Sequence, residues 1–291
     1  SSKKPEWLKK RISYNEDIRE TRKILKNLDL NTVCEGARCP NMSECFARST
    51  ATFMIMGNTC TRNCQFCAVP SGTPEELEKE EPGKLAEAVK KLKLKHVVIT
   101  SVTRDDLKDG GASHFSSCVQ EIRKMDEKII IELLIPDFEL NKNDIETVIT
   151  SEPDILNHNV ETVPRLYSEA RPQADYNRSL QVLNYIKKNN NKIYTKSGIM
   201  VGLGETEEEV IEVMKDLRNI SCDILTIGQY LQPTQEHLPV KEYVEPEQFN
   251  KYKNIGKDLG FKYIAAGPYV RSSYQAEEFS NKFLERGRDD E

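Results

Sequence analysis

From residue 51 onward the chain alternates short β-branched runs with helical segments, and this alternation limits the folds open to it more than any other feature. The runs fall at residues 51–57, 96–102, 128–135, 154–160, 192–201 and 223–231. Most are near-continuously apolar, as strands covered on both faces are. Between them apolar residues recur at helical spacing: Leu85, Val89 and Leu92; Phe115, Cys118, Val119 and Ile122; Val210, Val213, Met214 and Leu217. Thr206 with Glu209 three residues on forms a capping-box pattern that starts a helix just after the fifth run. Repeated β-α units predict parallel strands with right-handed crossovers. No G-x-G-x-x-G follows the first run, so a partial (β/α)6 barrel is expected rather than a dinucleotide-binding sheet.

Three segments follow from this pattern. Residues 1–50 form an extension with an amphipathic helix over 15–30 (Ile18, Ile24, Leu25 and Leu28 on one side) and a cysteine-rich loop. Residues 51–235 form the barrel. Residues 236–291 hold a helix over about 246–259 ended by Gly260, a short apolar run at 263–267, and a charged tail expected to fray after Phe283.

Net charge is −5 from 42 basic and 47 acidic residues in 291, mixed along the chain. There is no basic field of the kind that draws a protein to nucleic acid or to an anionic membrane. No apolar run approaches 18 residues, and the first residues have neither the apolar core of a secretory signal nor a transit-peptide profile, so the chain is read as cytoplasmic. Six of the eight cysteines fall within residues 34–67. Such crowding without an export signal favours metal binding over disulfides. Cys118, in register with core residues of its helix, and Cys222 are read as inert small apolar side chains.

The stretch CTRNCQFC, residues 60–67, has three thiols with gaps of three and two, in the loop after the first strand. Active sites of parallel α/β barrels sit at the carboxyl ends of strands. Three thiolates can hold three irons of a four-iron, four-sulfur cube and leave the fourth open to a small molecule. A zinc site completed by a distant residue, or a redox C-x-x-C, is the plainer reading. A second triad, Cys34, Cys39 and Cys45, has gaps of four and five, which zinc or a ferredoxin-like cluster would both accept.

C-x3-C-x2-C with Phe66 before the last cysteine resembles the signature of radical S-adenosylmethionine (SAM) enzymes. The two triads together resemble the lipoyl synthase family, and the likeness continues through residues 101–112, 157–162, 171–180, 195–206, 229–234 and 270–276. It implies that Cys60, Cys64 and Cys67 hold a 4Fe–4S cluster whose open iron chelates SAM, which is cleaved to a 5′-deoxyadenosyl radical. It also implies that Cys34, Cys39 and Cys45 hold an auxiliary 4Fe–4S cluster, consumed as the sulfur source. A serine of the R-S-S-Y motif (Arg271, Ser272, Ser273, Tyr274) would be its fourth ligand, with Ser273 the choice and Ser272 the fallback. A hard oxygen ligand should leave iron more readily than a thiolate.

The family reaction inserts sulfur at C6 and C8 of a protein-bound octanoyl-lysine. The implied partners are octanoylated lipoyl domains or the glycine-cleavage H protein, a low-potential electron donor, and an iron–sulfur assembly or carrier protein. The tail is expected to fold back over the extension, and both clusters should face one cavity. A biotin-synthase-like sulfur insertase and a two-cluster electron-transfer protein are the rivals; the first lacks the second triad and the R-S-S-Y motif, and the second needs no barrel.

Other motifs supply cofactor-binding candidates. Thr103, with Arg104 and Asp105, stands at a strand's carboxyl end, where the plainer reading is a turn with Asp106 as helix N-cap. Asn159 and Glu161 could hydrogen-bond a ribose, whereas His158 reads as a packed, satisfied residue. Arg171 could grip a carboxylate with its fork. GIMVGLGE, residues 198–205, resembles the G-x-I-x-G-x-x-E element of radical SAM barrels; of its neighbourhood Lys196 and Glu205 are the binding candidates, while Gly202 and Gly204 read as turn glycines.

Overall fold

The computed structural model describes residues 4–9, 16–36, 39, 41–47, 52–273, 278 and 279. Tyr274 and the tail after Phe283 lie outside the described residues. Three helices come first: α1 (Glu16–Asn27), α2 (Val33–Gly36) and α3 (Met42–Ala47). Then strands and helices alternate: β1 (Thr52–Ile55), α4 (Glu81–Lys91), β2 (His96–Ser101), α5 (Ala112–Met125), β3 (Ile130–Leu134), α6 (Lys142–Ile149), β4 (Ile155–Asn157), α7 (Tyr167–Ala170), α8 (Tyr176–Asn189), β5 (Tyr194–Val201), α9 (Glu207–Asn219), β6 (Ile224–Gln229), α10 (Pro246–Asp258) and β7 (Tyr263–Gly267). No helix among them is long and apolar enough to cross a membrane.

The strands form one parallel sheet in chain order, with β1 and β7 at its edges. This is an open barrel with one strand more than the sequence pattern predicts. The run at residues 263–267 becomes β7 because the free edge of β6 offers it a full register, from Ile224 beside Tyr263 to Gly228 beside Gly267. All six expected strands are shorter than the sequence runs, and two of the shortenings bear on the site. β1 stops at Ile55 because Met56 and Gly57 take positive φ (68° and 92°), and β4 stops at Asn157. In both, the residues beyond the strand belong to the site.

Alternate strand residues face opposite ways. Val97, Ile99, Ile131, Leu133 and Leu156 pack outward with Leu85, Val89, Phe115, Cys118 and Ile122 of the helices. A second cluster joins Ile199, Val201, Leu225 and Ile227 to Val210, Val213, Met214, Leu217 and Cys222. The residues read as helix faces are therefore the faces that cover the sheet. The barrel interior is partly charged: Glu132 and Lys196 pair at 2.7 Å with both side chains buried, and His96 lies 3.4 Å from the same carboxylate. Burial would raise the Glu132 carboxyl, but Lys196 and His96 outweigh it and hold it down to about 2.

The capping box at Thr206 forms as the sequence predicts. The expected N-cap at Asp106 does not. Its carboxylate is taken by the Arg104 fork at 2.8 and 2.9 Å, and α5 begins six residues later behind Gly111 (φ 89°). There Asp109 accepts the N–H groups of Gly111 (3.0 Å) and Ser113 (2.9 Å).

Candidate functional site

The first triad leaves the carboxyl end of β1 through a strained turn. Met56 is held in left-handed φ from both sides: its N–H donates to the Glu81 carboxylate (2.9 Å) and its carbonyl accepts from Arg104 (3.3 Å). Glu81 is in turn bonded to His114 at 2.6 Å. Four residues on, the Cys60 sulfur accepts N–H groups from Arg62 (3.4 Å) and Thr103 (3.3 Å). N–H groups aimed at sulfur tune a cluster bound through it. Cys67 closes a turn on the Cys64 carbonyl (3.0 Å). Burial pushes the Cys67 thiol up to about 12 and raises Cys64, against the pull of Arg171 and Arg62. Metal binding must displace these protons, which couples occupancy to pH.

The loop between the thiols is tied to several other loops of the barrel. Arg62 forks onto Asp105 (2.7 and 2.9 Å) and onto Asp137 (2.9 and 2.8 Å), and Asp137 also takes Arg178 at 2.9 Å. Burial would raise the Asp137 carboxyl, but the Arg62 guanidinium outweighs it and holds it well below the usual carboxylate range. The Thr61 N–H bonds the Thr103 carbonyl, and Gln65 bonds Ala170 and Leu238 through its backbone. His237 bonds the Cys67 carbonyl at 2.8 Å. Arg62, Asp137 and His237 escape a search for ligands, although an arginine inside the thiol spacing and an aspartate just after β3 are both visible in the sequence.

Around Cys64 stand Asn159, Glu161 and Arg171. Arg171 donates to the Asn159 carbonyl (3.0 Å) and lies over the Tyr167 ring at 5.5 Å. Glu161, at φ 67°, has its carboxyl raised by burial against the pull of Arg171. Thr103 reaches the site through its backbone, on the Cys60 sulfur. Phe66 packs against the β5–β6 side of the core. Two candidates are committed elsewhere: Lys196 to Glu132 inside the barrel, and Glu205 to the N–H groups of Gly202 and Leu203 (the latter at 2.9 Å), where it organises the turn after β5. His158 is buried between the Ile135 carbonyl (2.8 Å) and the Ser179 hydroxyl (3.0 Å), as expected of a packed histidine.

The second triad lies on the extension, Cys34 in α2 and Cys45 in α3, with the Cys39 N–H on the Cys34 carbonyl at 3.0 Å. Burial pushes the Cys34 thiol up to about 12, with a bond to the Thr52 backbone opposing it and the neighbouring Cys39 and Cys45 adding to the rise. The chain after β7 folds back onto this region. Asn41 donates to the Tyr269 carbonyl (2.7 Å), and Thr52 donates to the Ser273 hydroxyl (2.7 Å). Burial lowers the Arg271 guanidinium, opposed by the nearby Cys39. Ser272 turns the other way and accepts from the Asn159 amide (2.7 Å).

No three His, Cys, Asp or Glu side chains among the described residues are gathered closely enough for one metal ion. Thiolates that each bind a different iron of a cube stand farther apart than ligands of one ion, and both donor sets are soft, as iron–sulfur clusters require.

A profile of the radical SAM superfamily matches residues 54–217. The lipoyl synthase of Caldanaerobacter subterraneus subsp. tengcongensis is 62% identical over 275 residues, 94% of this chain and 96% of the relative. That of Caldicellulosiruptor saccharolyticus is 55% identical over 277 residues, 95% and 97% of the two chains. Among solved structures, methylornithine synthase PylB has a TM-score of 0.54 at 14% identity, covering 87% of this chain and 82% of that one. Streptococcus suis SuiB bound to S-adenosylmethionine has 0.58 at 13%, covering 85% and 60%. These two likenesses show the fold.

Proposed function

Because the chain belongs to the lipoyl synthase family of the radical SAM superfamily, we propose a division of labour between its two triads. The enzyme is a sulfur-inserting lipoyl synthase acting on a protein-bound octanoyl group. Cys60, Cys64 and Cys67 hold the SAM-binding 4Fe–4S cluster. Cys34, Cys39 and Cys45 hold an auxiliary 4Fe–4S cluster that donates sulfur, with Ser273 as its fourth ligand. When bound, the first cluster and SAM supply the radical that removes hydrogen from an unactivated carbon.

One observation carries this reading: the two serines of the R-S-S-Y motif are divided between the two sites. Ser273 shares Thr52 with Cys34, while Ser272 sits on Asn159, beside the residues around Cys64. Ser273 is therefore preferred to Ser272 as the auxiliary ligand. Arg62, Asp105 and Asp137 hold the first loop in place, and Asn159, Glu161 and Arg171 supply polar groups for SAM.

The octanoyl chain lies between the triads, with polar groups from residues 103–105 and 171–178 at its ends and near-attack geometry supplied by packing. Its carrier is a lipoyl domain or H protein, the electron donor is of low potential, and an assembly or carrier protein restores the spent cluster in the cytoplasm. Residues 1–50, 51–235 and 236–291 act as cluster-binding extension, barrel and returning tail.

Anaerobic protein should carry about eight irons, four per cube. Replacing Cys60, Cys64 and Cys67 together should halve the iron and abolish SAM cleavage. Replacing Cys34, Cys39 and Cys45 should also halve it, keep SAM cleavage, and abolish dithiolation of an octanoyl-lysine peptide read by mass spectrometry. Loss of SAM cleavage in both variants would sink the division.

A further inference from the structure

We propose that Ser272 is a positioning residue for the SAM side of the site, acting through Asn159; this rests on the assignment of Ser273 to the auxiliary cluster. Asn159 is 7% exposed. Its Nδ2 donates to the Ser272 hydroxyl at 2.7 Å, its backbone carbonyl accepts from Arg171 at 3.0 Å, and its Oδ1 is buried without a hydrogen-bond partner. Ser272 holds the amide nitrogen and the Glu161 carboxyl is hydrogen-bonded to the same side chain, so the amide cannot rotate without losing these bonds. The open acceptor is then fixed in direction.

Gly198 on β5 makes room for it. A Cβ there would lie 2.8 Å from Asn159 Oδ1 and 2.8 Å from the Thr226 hydroxyl, closer than real Cβ contacts allow. The first glycine of the GIMVG stretch thus has a local reason: the space above it is filled by the Asn159 carboxamide oxygen.

A buried carbonyl oxygen with no donor is costly, and that cost is removed when a ligand brings a hydroxyl or N–H. The oxygen belongs to a residue gripped by Arg171, a neighbour of Glu161 and Cys64. A hydroxyl donor of the kind a ribose carries, on SAM bound at the first triad, is the ligand chemistry that suits it. Ser272 would preorganise the acceptor for that donor from a point 113 residues along the chain. Consecutive serines then make sense physically, one serving each site.

The test compares Ser272→Ala, Ser272→Thr and Ser273→Ala in the reconstituted holoenzyme by iron content and by equilibrium SAM affinity. Ser272→Ala should keep about eight irons and bind SAM about 3- to 10-fold more weakly, the range for loss of one orienting hydrogen bond. Ser272→Thr, which retains an acceptor oxygen, should recover most of the affinity. Ser273→Ala should lose iron and keep SAM affinity. In an Asn159→Ala background, Ser272→Ala should have little further effect, since the two act as one unit.

Unchanged SAM affinity in Ser272→Ala, or full additivity with Asn159→Ala, overturns the proposal. Loss of about half the iron in Ser272→Ala alone would overturn the choice of Ser273 on which it rests, and iron content separates that failure from the first.

Discussion

Arg62 makes the most ion pairs of any residue in the first loop, and its partners come from the loops after two other strands. Removing one partner of a buried, hydrogen-bonded ion pair leaves the other charge uncompensated, at about 3–5 kcal/mol. Arg62→Ala should therefore lower stability by about that amount in denaturant titration, since Asp137 would keep only the partly exposed Arg178 as an ion-pair partner. Arg62→Lys should be only a partial remedy, because an ammonium cannot fork onto two carboxylates.

His158 gives a pH signature. Burial, with Arg171 adding to it, lowers its pKa from 6.5 to about 4. Above pH 6.5 it is neutral in both folded and unfolded chains and adds no pH dependence. As pH falls from 6.5 towards 4 the unfolded chain takes up a proton that the folded chain refuses, so stability is lost. Between pH 7 and 5 that loss is about 2 kcal/mol at 1.36 kcal/mol per pH unit. His158→Gln, measured against the parent at both pH values, should cost less at pH 5 than at pH 7. An equal cost at both would show that the histidine does not titrate as described.

At the scale of elements, the barrel strands end where the site begins. Met56 and Glu161, neither a glycine, take left-handed φ just past β1 and β4, and such strain persists only where the surroundings enforce it. Glu81 and Arg104 enforce it at Met56. The helices, by contrast, start by local rules: Thr206 accepts from the Glu209 N–H, and Glu209 reaches back to the Thr206 N–H. Thr206→Ala should cost about 1 kcal/mol, the usual value for a lost cap, with no change in iron content. A change in iron on Thr206→Ala would mean that α9 is coupled to the clusters by a route not seen in its contacts.

At the scale of the whole molecule, the returning tail joins the extension, the open side of the barrel and its far end. After Asn41, Asn159 and Thr52 have gripped residues 269–273, Phe279 is buried edge-on against Tyr194 and Tyr263, at centroid distances of 5.0 and 5.9 Å. That aromatic group packs with Ile155 and Ile224 inside the barrel. Phe279→Ala should cost about 3–5 kcal/mol, as deleting a buried ring does. It should also reduce auxiliary iron, because the tail that carries Ser273 loses its lower anchor. Full iron content with lowered stability would separate the anchor from the ligand.

The sequence by itself determined whatever depends on short spacing. Apolar runs and helical periodicity specified six of the seven strands and the covering faces of the helices. The gaps between cysteines set apart two triads, and the Thr206–Glu209 pair marked a helix start. Each of these is set by residues within a turn or two of one another. The packing of His158 was legible too, since the two cysteine triads already accounted for the expected metals.

Only the tertiary structure decided which distant groups meet. Lys196 reads as a binding candidate in the sequence, whereas β3 and β5 turn Glu132 and Lys196 into the same interior, where the two pair at 2.7 Å. The segment 263–267 becomes a strand because β6 presents an unpaired edge to it. Arg62 finds Asp137 across 75 positions, and Ser272 and Ser273 find Asn159 and Thr52 across 113 and 221. Strand register and chain return set those pairings, and neither is encoded in the local pattern of any one segment.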